Sequence, residues 1–267
     1  MPVTRSAVAR AVYRGTMRAI DLNADLGETV GGAPTADDAA MFAVISSASI
    51  ACGGHAGDAV SMRTSVERAR ATGVAVGAHP SYPDPANFGR SAMPIEAAEL
   101  AASVCAQLAA LVDAGADVRY VKPHGALYHA VLADRAHAAA VVGAVADLSD
   151  RVGRPVPILG LHGEVMRAAA KVGIPFVLEA FLDRAYLADG RLVPRGEPGA
   201  VLDDPAAAAD RAVRLATEGT VVATDGSVVE TGAASMCVHG DSAAAVAMAR
   251  AVRAALDGAG IEVRAPW

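Results

Sequence analysis

Five of the seven histidines share one place in the sequence, at or just past the end of a short apolar, strand-like run. They are His55, His79, His124, His162 and His239. Imidazole titrates near neutrality, so these side chains could move protons or bind a metal ion. One such histidine is more often the polar end of a buried strand, but five in equivalent places predict a catalytic rim. We expect His55, His79 and His124 to be catalytic.

The densest set of reactive side chains lies at 121–129, in the sequence VKPHGALYH. Lys122, His124, Tyr128 and His129 fall within eight residues there. A lysine in the last positions of a buried strand is hard to explain as a solvated side chain. Its ammonium could polarise a carbonyl or stabilise developing negative charge, so we predict a catalytic role for Lys122.

Acidic residues close the first strand-like run, in the sequence DLNADLGE at 21–28. Alternation along a strand places Asp21, Asn23 and Asp25 on one face, where buried polar groups must bond or coordinate something. Asp25 and Glu28 would reach the mouth, although acids before glycines also form turns. We predict that Asp25 is catalytic and that Asn23 binds substrate.

Two loops carry further candidates. The sequence ACGGHAGD, at 51–58, offers backbone N–H groups that can approach an anion closely. Its Asp58 is either a substrate-binding residue or the N-cap of the next helix. Cys52 is a conceivable nucleophile, but a cysteine at a strand end usually packs. In the loop within 77–90, Arg90 could clamp a substrate carboxylate.

The last two strand-like runs also end in charged side chains. Asp183 and Arg184 follow the sixth run, and His239 and Asp241 follow the seventh. We expect Asp183 to be catalytic and the other three to bind substrate.

Familiar nucleotide and metal motifs are absent from the sequence. No stretch matches GxxxxGK[ST] or GxGxxG, so no nucleotide site of either kind is predicted, and HExxH and CxxC are absent too. Aspartates and histidines from separate strand ends could still bind Zn²⁺ or another divalent ion. Spacing alone does not decide whether a metal is bound.

These side chains meet only if the strands before them are parallel and adjacent. Strand-like runs alternate with helical patterns, which is typical of a parallel sheet covered by helices. The runs lie near residues 18–25, 46–52, 74–79, 119–122, 157–161, 175–181 and 235–239. The helical patterns lie near residues 35–44, 58–72, 95–115, 134–150, 163–172, 205–218 and 241–258. Seven strands favour an α/β fold, a single-domain seven-stranded (β/α) barrel that is a distorted TIM-like barrel, over a doubly wound sheet.

Two connections have turn chemistry. Segment 183–203 contains Asp189-Gly190 and two prolines, and it predicts a long loop or hairpin over the mouth. Segment 220–232 predicts a small hairpin that turns at Asp225 and Gly226.

Length and composition favour one catalytic domain at 18–267, behind a mobile extension at 1–17 in which Met17 is a second candidate start. The net charge of −6, the absence of a basic stripe and the 4% aromatic content argue against a nucleic-acid partner. No apolar stretch approaches the roughly 20 residues of a membrane span. Three cysteines without a disulfide framework favour the cytoplasm.

Six ordered blocks between residue 18 and the C-terminus resemble the family of bacterial 5-oxoprolinase A subunits, also called the lactam-utilisation (LamB/YcsF) family. The blocks are DLNADLGE, SASIACGGHAGD, VAVGAHPSYPD, VKPHGALYH, EAFLDRAY with DGRLVPR, and CVHGD. The chain departs from the usual blocks at Ser49 and Gly54, where asparagine and phenylalanine are expected, and at Asn87 and Ser91.

The resemblance implies a barrel related to those of glycoside hydrolases and deacetylases. It also implies ATP-dependent hydrolytic opening of 5-oxoproline to L-glutamate, carried out together with partner subunits B and C. Because the chain has no phosphate-binding loop, ATP and its Mg²⁺ would be bound and used mainly by those partners. They would phosphorylate the lactam oxygen before this chain helps to open the ring.

Two other functions fit the same residues. A stand-alone metal-dependent deacetylase or amidase, acting on a carbohydrate-like amide, would contain stoichiometric metal and work without ATP. A non-catalytic carrier subunit would bind a small acid and tolerate changes at the rim without loss of turnover.

Overall fold

Seven parallel strands close into a barrel in the computed structural model, which describes residues 19–240 and 244–267. The strands are β1 (Ala19–Leu26), β2 (Ser47–Ala51), β3 (Ala75–His79), β4 (Val118–Val121), β5 (Ile158–Gly160), β6 (Phe176–Phe181) and β7 (Ser235–Cys237). Each strand pairs with the next, and β7 pairs with β1 to close the ring, with Ser235 opposite Asp21. The predicted seven-stranded barrel is confirmed, while the predicted extension at 1–17 and Asp241 lie outside the described residues.

Eight α-helices are described, and they connect the strands. They are α1 (Asp38–Phe42), α2 (Ala59–Thr72), α3 (Ala97–Asp113), α4 (Gly125–Ala133), α5 (Arg135–Val152), α6 (Glu164–Val172), α7 (Pro205–Glu218) and α8 (Ala245–Gly258). Seven of them match predicted patterns. The helix α4 was not predicted, because its first turns overlap the VKPHGALYH block and Asp134 alone separates it from α5.

The helices pack on the barrel through narrow apolar faces. In α3, Leu100, Val104, Leu108 and Leu111 are buried, at the three- and four-residue spacing of one helix face. At the start of α5 the Asp134 carboxylate accepts the N–H groups of the first turn, which ends α4 and caps α5 at one residue. None of the helices described within 19–240 and 244–267 is long and apolar enough to cross a bilayer.

Short strands outside the barrel complete the architecture. The strand Glu262–Val263 pairs with the start of β1, ahead of the contact between β1 and β7. The predicted hairpin is confirmed: Thr220–Val222 pairs antiparallel with Val228–Glu230 around the turn at Asp225 and Gly226. A second small hairpin, at 29–34, was not predicted.

Segment 183–203 forms the predicted long loop at the mouth. Two isolated antiparallel bridges, Arg184 with Val201 and Tyr186 with Leu192, hold it in shape. Leu192 and residues 194–196 of this loop contribute to the wall of a cavity at the carboxyl ends of the strands.

Gly77 of β3 is required by the packing inside the barrel. A Cβ at this position would lie 2.2 Å from Cζ of Tyr120, whose buried hydroxyl is 3.0 Å from Ser49 Oγ. Because the ring is enclosed and cannot move aside, we expect Gly77→Ala to lower the free energy of unfolding by about 1–3 kcal/mol. The shift of the urea unfolding midpoint measures this effect.

The matched control is Gly143→Ala in α5, where a Cβ meets no atom within 4 Å of the described residues. An alanine in an exposed helix interior should raise the free energy of unfolding by about 0.5–1 kcal/mol. Equal stability of the two variants would contradict the packing argument.

Candidate active site

A cavity of about 400 Å³ opens at the carboxyl ends of the strands. The predicted site residues on its wall are Asp25, His79, Arg90, Lys122, His124, Arg184 and His239. Asn23, His55 and Asp183 stand immediately behind them, in contact with residues of the wall. The volume is within the range of small-molecule sites, and its position is where barrel enzymes place their chemistry.

Lys122 extends from the end of β4 into the centre of this wall, and only 1% of it is exposed. Its Nζ lies 2.9 Å from Asp25 Oδ1, 3.1 Å from Asn23 Oδ1 and 3.4 Å from Glu179 Oε2. Burial opposes the charge, but Asp25 above all raises the pKa of Lys122 well above its ordinary value. The lysine is therefore a fixed ammonium, and a third hydrogen bond reaches Cys237 Sγ at 3.1 Å.

Alternate residues of β1 form a polar column along the barrel axis, as predicted. At the base, Asp21 accepts hydrogen bonds from Ser47 Oγ (2.6 Å) and from Ser235 Oγ. Asn23 donates to Ser235 Oγ at 2.8 Å and accepts from Lys122. At the top, Asp25 faces the cavity. The Asp21 carboxylate is therefore structural, whereas the Asp25 carboxylate is placed to take part in chemistry.

Asp25 stands between a lysine and a histidine. Its Oδ2 is 3.3 Å from His79 Nε2, on the other side from its contact with Lys122. Burial opposes ionisation, but His79 and Lys122 hold the pKa of Asp25 well below its usual range. Asp25 is an ionised carboxylate at neutral pH.

The rings of His79 and His124 are fixed by backbone carbonyls. His79 Nδ1–H donates to the carbonyl of Lys122 at 2.7 Å, and His124 Nε2–H donates to the carbonyl of Phe88 at 2.9 Å. A carbonyl can only accept, so each outer nitrogen carries the hydrogen. The inner nitrogens, His79 Nε2 and His124 Nδ1, face each other at 3.0 Å.

His55 and Glu28 complete this group. His55 stacks on His124 with the ring centroids 3.6 Å apart, and its Nε2 lies 3.0 Å from Glu28 Oε1. The same Glu28 oxygen is 3.6 Å from His124 Nδ1. Burial lowers the pKa of His55 to about 4, and burial with the neighbouring histidines lowers the pKa of His124 well below its ordinary value. We call the set Glu28, His55, His79 and His124 the His–Glu cluster.

A strained loop presses against the His–Glu cluster. Phe88 has φ +54 and Gly89 has φ +63, in the left-handed region. A Cβ on Gly89 would lie 2.8 Å from His55 Cβ and 3.1 Å from His124 Cδ2. Glycine at 89 is therefore required for the close approach that brings the Phe88 carbonyl to His124.

Gln107 of α3 fills the space beside Gly54. A Cβ at position 54 would lie 2.3 Å from Gln107 Oε1 and 2.5 Å from Ser81 Oγ. The Gln107 amide accepts from Ser81 N–H at 3.0 Å and donates to the Ser81 carbonyl at 2.8 Å. The phenylalanine that the family resemblance leads one to expect at this position has no room here.

Asp183 and His239 are paired at the ends of β6 and β7, and the donor atom of His239 lies within 4.8 Å of that of Asp25. The His239 Nδ1 is 2.7 Å from Asp183 Oδ2, and the His239 backbone N–H donates to the same oxygen at 3.2 Å. Although burial opposes it, Asp183 raises the pKa of His239. Asp183 thus acts on the cavity through His239.

Arginine side chains occur along the cavity wall. Arg184 donates to the carbonyls of Ala200 (3.2 Å) and Val193 (2.6 Å), so it holds the mouth loop. Arg90 lies over the Phe88 ring at 4.9 Å, and Arg195 also lines the cavity.

Three sequence-based candidates lie elsewhere. Asp58 was predicted to bind substrate, but it lies outside the cavity. Its exposed side chain accepts the N–H groups of Val60 and Ser61 and so caps α2, and it lines a different surface pocket. His162 is exposed and outside the cavity. Cys52 is buried, and burial raises the pKa of its thiol to about 12, which leaves it a packing residue.

Four residues contribute more than the sequence indicates. The sequence places Glu28 near the mouth without a role, and it assigns no role to Glu179, Cys237 or Arg195. Glu28 lies in the turn after β1, and Glu179 lies near the end of β6. This placement at the carboxyl end of a strand is the signal from which a role could have been predicted. No local pattern marks Cys237 or Arg195.

A model of the LamB/YcsF family matches residues 20–266, which include the whole described site. The chain belongs to the LamB/YcsF family. Its relatives include the 5-oxoprolinase A subunit of Streptomyces griseus, 51% identical over 92% of this chain and 99% of that protein. The 5-oxoprolinase A subunit of Chloroflexus aggregans is 46% identical over 94% of this chain and 100% of the relative.

A solved structure of the family has the same fold. The lactam utilization protein of Thermus thermophilus superposes with a TM-score of 0.86 and 42% identity, covering 92% of this chain and 99% of that one. The family resemblance found in the sequence blocks is confirmed.

Proposed function

We propose that this chain is the A subunit of a 5-oxoprolinase, a hydrolase that opens the lactam ring of 5-oxo-L-proline to give L-glutamate. The observation that carries the proposal is the fixed Lys122 ammonium beside the ionised Asp25, on the wall of a cavity that arginines also line. Relatives about half identical in sequence carry this activity in their names. The site therefore offers groups for both the lactam and the carboxylate of the substrate.

The ring opening needs a proton acceptor and a cation. A water oxygen bonds to the ring carbon that carries the phosphorylated oxygen, the ring carbon–nitrogen bond breaks, and the nitrogen gains a proton as it becomes the α-amine. A second water then cleaves the resulting γ-acyl phosphate to glutamate and inorganic phosphate. Asp25 accepts a hydrogen bond from the first water, orients it and takes up its proton. Lys122 exchanges its weak contact with Cys237 Sγ for the substrate oxygen and stabilises the charge that develops there.

The substrate carboxylate is held by the arginines of the wall. Arg90 offers the fork geometry that suits a carboxylate. Arg184 acts indirectly, because its donors hold the mouth loop. His239, whose pKa Asp183 raises, lines the same cavity as a further group that can interact with the carboxylate.

ATP activates the lactam in partner subunits B and C, and this chain acts on the activated ring. An amide in a five-membered ring is resonance-stabilised, which explains the need for coupling. The sequence offers no glycine-rich phosphate loop. We therefore assign the binding of ATP and Mg²⁺ to the partner subunits. The ligand assigned to this cavity is a small acid, not a nucleic acid.

Reconstitution tests the function. The purified full chain is mixed with subunits B and C, ATP, Mg²⁺ and 5-oxoproline, and glutamate and ADP are followed together. We expect glutamate only in the complete mixture, with ADP formed alongside it.

Leaving out one component at a time distinguishes this function from the alternatives. Glutamate from B and C without this chain would contradict the assignment. Amide hydrolysis by this chain alone, without ATP, would identify a stand-alone amidase instead.

A further inference from the structure

We propose that the His–Glu cluster binds one divalent transition-metal ion of the Zn²⁺ class at the wall of the cavity. Each of its four residues offers one donor atom, and these atoms lie within 4.8 Å of one another. All four side chains are buried, so the donors are already taken out of water. The inference goes beyond the proposed function and does not depend on which amide is the substrate.

Two ring nitrogens of the His–Glu cluster face each other at short distance. Because the outer nitrogens of His79 and His124 donate to carbonyls, the inner nitrogens of the neutral rings, the form that binds a metal, would point their lone pairs at each other across 3.0 Å, and His79 Nε2 also lies 3.3 Å from the Asp25 carboxylate. Two lone pairs at this distance repel unless a positive centre lies between or beside them. Two imidazole nitrogens on one ion stand about 3–3.4 Å apart at usual bond lengths.

The outer hydrogen bonds themselves are typical of metal sites. A ligating histidine usually donates its other N–H to a carbonyl or carboxylate, which fixes the ring and its tautomer. His79 and His124 both have this arrangement, and the two accepting carbonyls belong to different segments, at Lys122 and Phe88. The left-handed backbone at Phe88 and Gly89 is what delivers one of the two carbonyls.

Two further donors, from Glu28 and His55, converge on the same place. Glu28 Oε1 lies 3.0 Å from His55 Nε2 and 3.6 Å from His124 Nδ1. Among the described residues, His55 Nδ1 is buried and has no hydrogen-bond partner, so this ring is not fully used by the protein. A proton shared by His79 and His124 would explain their contact, but it would not explain why His55 and Glu28 converge on it.

The donor set selects the class of ion. Three imidazoles and one carboxylate suit Zn²⁺ and neighbouring transition metals, whereas Mg²⁺ and Ca²⁺ prefer oxygen ligands throughout. When bound, such an ion supplies Lewis-acid catalysis at a carbonyl or water oxygen. His79 and His124 also line the cavity, which places the site within reach of a substrate.

Metal binding is measured on the full chain, independently of activity. The protein is stripped with a chelator, dialysed and titrated with Zn²⁺ by calorimetry, and the metal content of the loaded sample is determined. We expect one ion per chain. His124→Gln and Glu28→Gln should each weaken binding at least about 10-fold, since the loss of a single contact to a metal ligand already costs 10–100-fold.

The control is His162→Gln, which changes an exposed histidine outside the cavity and should bind Zn²⁺ as the unchanged chain does. Circular dichroism checks that each variant is folded. The wild-type titration decides the matter even if a cluster variant fails to fold: no stoichiometric Zn²⁺ overturns the proposal and leaves a shared proton between the two rings.

Co²⁺ loading locates the ion. A second group of donor atoms, from Asp25, Cys237 and His239, also lies close together. Ligation by the His–Glu cluster predicts a Co²⁺ spectrum without an intense thiolate-to-metal band. A strong thiolate band would place the ion at Cys237 and overturn the assignment.

Discussion

Lys122→Met should reduce glutamate formation in the reconstituted system by about 10²–10³-fold, the effect of removing one group that stabilises an oxyanion. Methionine keeps the apolar stem and removes the ammonium. The variant should also lose roughly 3–5 kcal/mol of unfolding free energy, because Asp25 and Glu179 remain buried without their cation. Both effects are measured on one preparation, by glutamate assay and by urea unfolding.

Two further variants separate catalysis from stability. Lys171→Met, at an exposed lysine near the end of α6, should leave both measurements unchanged. The double variant Lys122→Met with Asp25→Asn should recover part of the stability but none of the activity, since both buried charges are removed together. A folded Lys122→Met protein with normal turnover would refute the role of the lysine.

Asp25→Asn should lower kcat by about 10²–10⁴-fold in the same assay, because an amide cannot take a proton from water. The variant should remain folded: asparagine has the same shape, and Lys122 keeps Asn23 and Glu179 as partners. The rate is measured at saturating 5-oxoproline, so that weaker substrate binding does not mimic the loss.

The matched control is Asp58→Asn. Asp58 belongs to the same sequence motifs, but it caps α2 at the surface, and asparagine is an equally good N-cap. Turnover and stability should both stay close to the unchanged chain. Loss of activity in Asp58→Asn together with normal activity in Asp25→Asn would reverse the assignments made from the structure.

Much of the fold could be predicted from the sequence because its signals are local. Seven short apolar runs, separated by helical patterns, each appear within a few residues, and a parallel sheet is the arrangement that buries all of them. The hairpin at Asp225 and Gly226 has its own turn chemistry. The helix α4 was hidden because it abuts α5, and only the cap at Asp134 divides the two patterns.

The contacts within the site could not be predicted in the same way, because they join distant segments of the chain. A position at a strand end predicts that a side chain lies at the mouth, but it does not predict the contacts of that side chain. The sequence therefore offered Asp58 and Asp25 alike as residues of the site. The structure separates them: one carboxylate caps a helix, and the other binds Lys122. Glu28 belongs to the His–Glu cluster because its side chain contacts His55 from the turn after β1.

The sequence by itself determined the barrel, the family and the identity of most side chains at the mouth, because periodicity and ordered motifs are properties of the chain. Only the tertiary structure decided the pairing of Lys122 with Asp25 and the facing nitrogens of His79 and His124. Each of these contacts joins residues from different strands or loops, and their distances depend on barrel closure and on the strained turn at Phe88 and Gly89. Charge and donor geometry at the site are therefore consequences of packing, which no single segment encodes.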